Sequence, residues 1–165
     1  MAGMAGPAVE SFLYLMRRAF DEGEHSFLRN LEGTTDHEWD ALVPGQPFGR
    51  SIGYIAWHTA AGKHLYWDHA FGSKTLTGDY TGTGVHQPRR LLADVVAYAR
   101  EWQARWLASV EAMTDADLAA PTTAHWGSVL SMRRVIAAMI EHVLYHAGEI
   151  ILVRARLNGS DGPPG

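Results

Sequence analysis

The segment Glu141-His142-Val143-Leu144-Tyr145-His146-Ala147-Gly148-Glu149 lies inside a longer repeat of inward-facing residues. Ile136, Met139, Val143, His146, Ile150, Val153 and Leu157 follow one another at alternating steps of three and four. That spacing is one face of an α-helix. Ser131 stands where an N-cap belongs and Asn158-Gly159 where a stop belongs, which predicts a helix over 131–158. His146 occupies a core position of the stripe and His142 lies one step to its side. Residues four apart on a helix share a face, with Cβ atoms about 5–6 Å apart. The two imidazoles can therefore point at a common centre. Neutral imidazole at this spacing suits a borderline metal such as zinc or nickel.

A helix with such a stripe needs partners, and three further segments supply them. Pro7 suits a first helical turn, and Val9, Leu13, Met16, Phe20, Phe27 and Leu31 recur at helical spacing up to Gly33, predicting a helix over 8–31. Asp21, Glu22 and Glu24 fall on its solvated side. Asp36 to Leu42 reads as a short helical turn. Ser51 is an N-cap for a second long helix, 51–71, whose inward stripe is Ile55, His58, Gly62, Leu65 and His69. Leu92, Val95, Ala99, Trp102, Trp106, Val110 and Met113 form a near-heptad stripe over 89–113, the pattern of helices packed at shallow angles. Glu101 and Arg105 on that helix make an i, i+4 pair in the favourable order. Thr114 with Asp117 resembles a capping box, and Pro121 ends the turn it starts. Residues 73–88 carry no periodicity, and a stretch this long is either a lid or a plain surface connection.

Composition narrows the function. The 165 residues fit a single domain, 1–165, with a core over 8–157 and a frayed tail over 158–165. Fourteen basic against eighteen acidic residues give a net charge of −4, and no basic run exceeds a pair, which argues against nucleic acid as a partner. There is no cysteine, hence no disulfide, thiolate ligand or cysteine nucleophile. Residues 1–7 lack the basic and apolar segments of a signal peptide. No apolar run approaches the ~18 residues of a membrane span, so no spanning segment is expected. A cytoplasmic chain without a membrane segment is the expectation.

Four amphipathic helices and no strand pattern predict an all-α four-helix bundle. Bundles build metal sites in their cores from side chains on facing helices. The predicted site joins His142 and His146 to His58 of the second helix. Three protein nitrogens leave a metal with open positions, the arrangement of a catalytic rather than a structural site. The alternative is two or three core imidazoles hydrogen-bonded to one another without metal. His69 shares the face of His58 but lies ~16 Å further along the axis and cannot share its ion. His64 is expected on a solvated face, and His86 carries no usable spacing. Glu149 reads either as a carboxylate that orients an imidazole N–H or as a surface acid paired with Arg. Tyr66 could line the cavity, Tyr145 is expected at an interhelix contact, and Arg133 and Arg134 read as a solvated pair. Trp102 and Trp106 read as core. No residue is assigned a catalytic role, because Val143 stands where the metalloprotease pattern carries its Glu.

The motif Ser51-Ile-Gly-Tyr-Ile-Ala-Trp-His58, with His142-x-x-x-His146-x-Gly-Glu149-Ile and Met113-Thr-Asp-Ala-Asp-Leu118, resembles the DinB-like superfamily over about residues 8–157. The resemblance implies a four-helix bundle, a divalent metal (zinc or nickel) on His58, His142 and His146, and a homodimer. The superfamily includes enzymes that use mycothiol or bacillithiol, among them maleylpyruvate isomerase and S-transferases. A metal with open positions can hold a thiol as thiolate or acidify water. The leading expectation is therefore a small-molecule enzyme, a metal-dependent S-transferase with mycothiol or a related thiol as cosubstrate. A metal-dependent hydrolase and a non-catalytic, metal-binding stress-response module are the alternatives.

Overall fold

A computed structural model describes residues 6–43, 50–78 and 90–159. Its helices are α1 (Pro7–Arg17), α2 (Phe27–Leu31), α3 (Asp36–Asp40), α4 (Ile52–Phe71), α5 (Leu92–Glu111) and α6 (Met132–Leu157). The architecture is the expected all-α bundle. Its four long members, α1, α4, α5 and α6, touch around a closed square in which α4 packs on α5 and α6, and α1 packs on the same two from the other side. The predicted stripes face inward: Val9, Leu13, Met16, Ile55, Val95, Ala99, Trp106, Ile136, Met139, Val143 and Ile150 all belong to one buried core. Burying such side chains contributes about 1.5–3 kcal/mol each, which is what holds helices of this length together.

The first helix is not continuous, contrary to the expectation of one helix over 8–31. After Arg17 the chain widens into a π-type turn, Arg18–Glu22, and at Gly23 it becomes extended. The Gly23 N–H closes the turn on the Arg18 carbonyl at 3.0 Å. A Cβ at residue 23 would stand 2.4 Å from that oxygen, so only glycine fits there. The apolar spacing survives the break because Phe20 and Phe27 stack across it, ring centroids 5.9 Å apart. Periodicity thus identified the buried residues correctly while the helix between them was interrupted.

The ends are held as the sequence suggests, with additions. The Ser51 hydroxyl accepts from the Tyr54 N–H at 3.1 Å and caps α4. Gly6, which has no side chain to cap α1, is replaced in that role by Asp115, whose carboxylate accepts from the N–H groups of Ala8 and Val9. Asp115 sits beside the Thr114–Asp117 box, which forms as expected. Ser131 is the N-cap residue of α6 but makes no capping bond with its side chain. Arg154 does more than complement the helix dipole, since it donates to the Asn30 carbonyl and the Thr34 hydroxyl. Together with Asn30 Nδ2, which donates to the Ala147 carbonyl at 2.9 Å, it ties the α2–α3 segment onto α6 beside His146.

Between α5 and α6 lies an element absent from the sequence reading, a two-stranded antiparallel ribbon of β1 (Pro121–Thr123) and β2 (Val129–Ser131). Its register pairs Thr122 with Leu130. Strands of three residues leave no alternation to read, and Pro121, taken as a helix stop, is the first residue of β1. Of the expected loop 73–88, residues 79–88 lie outside the described residues, as does the tail from 160. Among the described helices α6 alone is long and apolar enough to cross a membrane, with a mean hydropathy of 1.5 over an 18-residue window of which 44% is buried in the fold. The sequence reading had expected no stretch of this kind; a helix that buries its apolar side chains in a bundle core has the same length and composition.

Candidate metal centre

Helix α4 presents His58 and helix α6 presents His142 and His146 toward the same point. Each ring has a nitrogen within 4.8 Å of one on the other two. Their ring centroids are 4.5–5.2 Å apart. The Nε2 atoms of His58 and His142 are separated by 3.3 Å. Two nitrogens bound at ~2.05 Å to a common tetrahedral ion stand about 3.3 Å apart. The sequence feature that permits this approach is Gly62, one turn beyond His58. A Cβ there would lie 2.6 Å from His142 Cε1, so the missing side chain is the space that the imidazole occupies.

Electrostatics favours neutral rings. Burial pushes the His142 imidazole down to about 3, aided by the neighbouring His146, His58, Lys63 and His125. Burial likewise lowers His146, against an opposing pull from Glu149. Metal ligation requires neutral imidazole, so these rings are already in the ligating state at neutral pH. The donor set, its spacing and its neutral state fit a divalent metal better than a hydrogen-bonded core. Three imidazoles within contact of one another can share few protons, whereas a cation satisfies one lone pair on each ring.

Around the three rings stand the groups that aim them. His146 Nδ1–H donates to Glu149 Oε2 at 2.7 Å, which fixes the tautomer and leaves Nε2 as the lone-pair nitrogen. The other Glu149 oxygen faces Arg50 at 3.7 Å. Both sequence readings of Glu149 therefore hold at once: it orients an imidazole and pairs with an arginine. Tyr54 lies parallel to the His58 ring, within 4° and 6.2 Å between centroids. Tyr66 stands against His142 at 5.7 Å, on the side where the sequence reading placed it.

The remaining histidines are elsewhere. His69 Nε2 bonds the Leu76 carbonyl at 2.8 Å, and Asp68 beside it gathers Ser73, Thr75 and Leu76 through their N–H groups. His64 corrects the expectation of a solvated side chain, because its ring stacks on Trp102 at 3.5 Å and its Nδ1 meets the Tyr98 hydroxyl at 2.7 Å. Periodicity counted only the main stripe, whereas α4 is buried on most sides, against both α5 and α6. Tyr145 also differs from expectation, being 69% exposed rather than packed between helices. Trp102 and Trp106 are core, as read. Arg133 and Arg134 are both exposed, as read, and Arg133 Nε also donates to the Leu118 carbonyl at 3.5 Å. His86 lies outside the described residues.

Two groups near the site escaped the sequence reading. Lys63 is buried, donates to Gln103 Oε1 at 2.6 Å, and its amine is pushed down to about 7 by burial. A charged residue directly after Gly62 in an apolar helix was its signal. His125 comes in with the β1–β2 ribbon, and without that ribbon its loop position carried no information.

No curated protein matches the chain. A family model described as the DinB superfamily matches residues 19–150, which span all three histidines, Gly62 and Glu149. The chain belongs to the DinB superfamily.

Proposed function

We propose that the chain is a metal-dependent enzyme that joins a low-molecular-weight thiol of the mycothiol type to an electrophilic small molecule. The observation that carries this reading is the convergence of three histidines, one pair at 3.3 Å, with burial holding His142 and His146 neutral. His58, His142 and His146 would hold the metal, with zinc or nickel favoured by imidazole donors. When bound, the metal would supply the charge that keeps a thiol as thiolate at neutral pH. The protein's part is positional. Glu149 holds the His146 tautomer, Gly62 admits the His142 ring, and Arg50 pairs with Glu149 at 3.7 Å at the edge of the site. In the reaction the thiol sulfur forms a bond to carbon, the electrophile loses its leaving group, and the thiol proton passes to solvent.

The test is consumption of monochlorobimane by the zinc- or nickel-loaded protein. Turnover that requires both metal and thiol supports the proposal. Hydrolysis of an activated ester without thiol would replace it with a hydrolase, and metal retention without either activity would leave a binding module.

A further inference from the structure

Lysine is almost never fully buried without a charged partner, yet Lys63 stands in the middle of the bundle, 1% exposed. Its amine donates to Gln103 Oε1 at 2.6 Å, approaches Met139 Sδ at 3.5 Å and lies over the Phe20 ring at 5.0 Å. These neighbours come from α5, α6 and the π-type turn, and none of them is charged. The arrangement is held from both ends: Gln103 Nε2 donates to the Met16 carbonyl, and Trp106 Nε1 donates to the Lys63 carbonyl at 2.8 Å. No carboxylate of a described residue pairs with the amine. Asp21, exposed on the π-type turn, acts on it through space and draws it toward the charged form.

Two features set this amine beside the metal centre. Met139, which its nitrogen approaches, precedes His142 by one turn of α6. Gly62, the residue directly before Lys63, leaves the space that the His142 ring fills. An ammonium at this position already disfavours a proton on His142. The same field opposes any cation held by that ring, and it opposes a divalent ion more strongly than a proton. In a dry core such repulsion is little screened by water or salt.

We infer that Lys63 is a proton-operated regulator of metal occupancy: a proton on its amine and a metal ion on His58, His142 and His146 exclude each other. When the metal enters, the Nζ proton leaves to solvent, and the neutral amine still has an N–H for Gln103. Burial brings that amine to about 7, so the centre holds metal most tightly above this pH and loosens it below. His142 does not set the threshold, because its ring stays neutral down to about 3. This rests on the metal-centre reading above, and the experiment separates the two.

The chain has two lysines, Lys63 and the exposed Lys74. Protein labelled with carbon-13 at lysine Cε therefore gives two signals, and Lys74→Arg, a surface change, assigns the inner one. Its titration midpoint is expected near 7 in zinc-free protein. In zinc-saturated protein it is expected at least about one pH unit lower, since a nearby like charge disfavours the ammonium. The second readout is zinc affinity by chelator competition. Lys63→Met is expected to bind zinc about tenfold more tightly than wild type near pH 6 and equally near pH 8, because only the wild type must lose a proton to bind. Protonation of the ligating rings is common to both proteins and cancels in the ratio, and a packing role for Lys63 gives a ratio that does not follow pH. Equal Lys63 midpoints with and without zinc overturn the inference, and so does a ratio independent of pH. If Lys63→Met does not fold, the two midpoints decide alone. Protein that binds no zinc would instead strike at the metal centre itself, and at this inference with it.

Discussion

His58 and His69 lie on one face of one helix, eleven residues apart, and they do different work. His58 faces two imidazoles across the bundle, with its Nε2 3.3 Å from that of His142. His69 faces a loop, and a backbone carbonyl takes its Nε2. Nothing intrinsic to the two residues or to their positions on α4 distinguishes them. What differs is the facing element: α6 brings a second and third imidazole to one end of α4, whereas the segment folded back onto Asp68 meets the His69 ring with the Leu76 carbonyl. What stands opposite decides which of the two can share a centre with other ring nitrogens.

The sharpest way to break this comparison is to remove each histidine in turn. His58→Ala is expected to lower metal content from about one equivalent to near zero, since two imidazoles alone make a weak site. His69→Ala should retain it. Both should keep their helical circular dichroism, because the apolar stripes carry the fold. Equal metal loss in the two variants would show that position along α4 does not matter.

A smaller effect is expected at Gly62. Alanine is favoured over glycine inside a helix by ~1 kcal/mol, so Gly62→Ala should leave α4 intact or strengthen it. The added methyl would lie 2.6 Å from His142 Cε1, however, and must displace the ring. Metal affinity is expected to fall by about tenfold or more, comparable to the loss of an orienting partner. Unchanged affinity in a competition titration with a chromogenic chelator would mean that His142 is not placed by this gap.

The smallest effects are on the pH dependence of stability in metal-free protein, followed by urea unfolding. His142 has its ring pushed from 6.5 to about 3. Between those values the unfolded chain binds the extra proton and the folded chain does not, so stability is lost as pH falls from 6.5 toward 3. His142→Ala should make that slope shallower. Lys63, in the core, has the same sign of slope in a higher pH range. Its amine is lowered from 10.5 to about 7, so stability should rise as pH climbs from 7 to 10.5. Lys63→Met should flatten the alkaline slope while leaving the acid one in place. A single variant that flattened both would join the two regions into one titrating unit.

These contrasts also mark what the sequence could reveal. Three of the four long helices appear within a few residues of their predicted bounds, because each buries a stripe against neighbours and the stripe is written at helical period. The convergence of His58, His142 and His146 was legible for the same reason, as polar residues interrupting apolar faces at positions that could meet. The break at Gly23 was not legible, because Phe20 and Phe27 keep helical spacing across it by stacking, which is a tertiary fact. His64 was misread because period-based reasoning assigns one buried face, while α4 is buried against α5 as well as α6. The β1–β2 ribbon, and with it His125, was invisible because three-residue strands have no pattern of their own and gain their hydrogen bonds only by pairing.

The measurement that tests the metal centre most directly is elemental analysis of the untagged protein beside His142→Ala. About one equivalent of zinc or nickel in the wild type, absent from the variant, is the expected result. Wild-type protein that holds no metal after reconstitution, or a variant that holds as much, would contradict the assignment and make the three histidines a hydrogen-bonded part of the core.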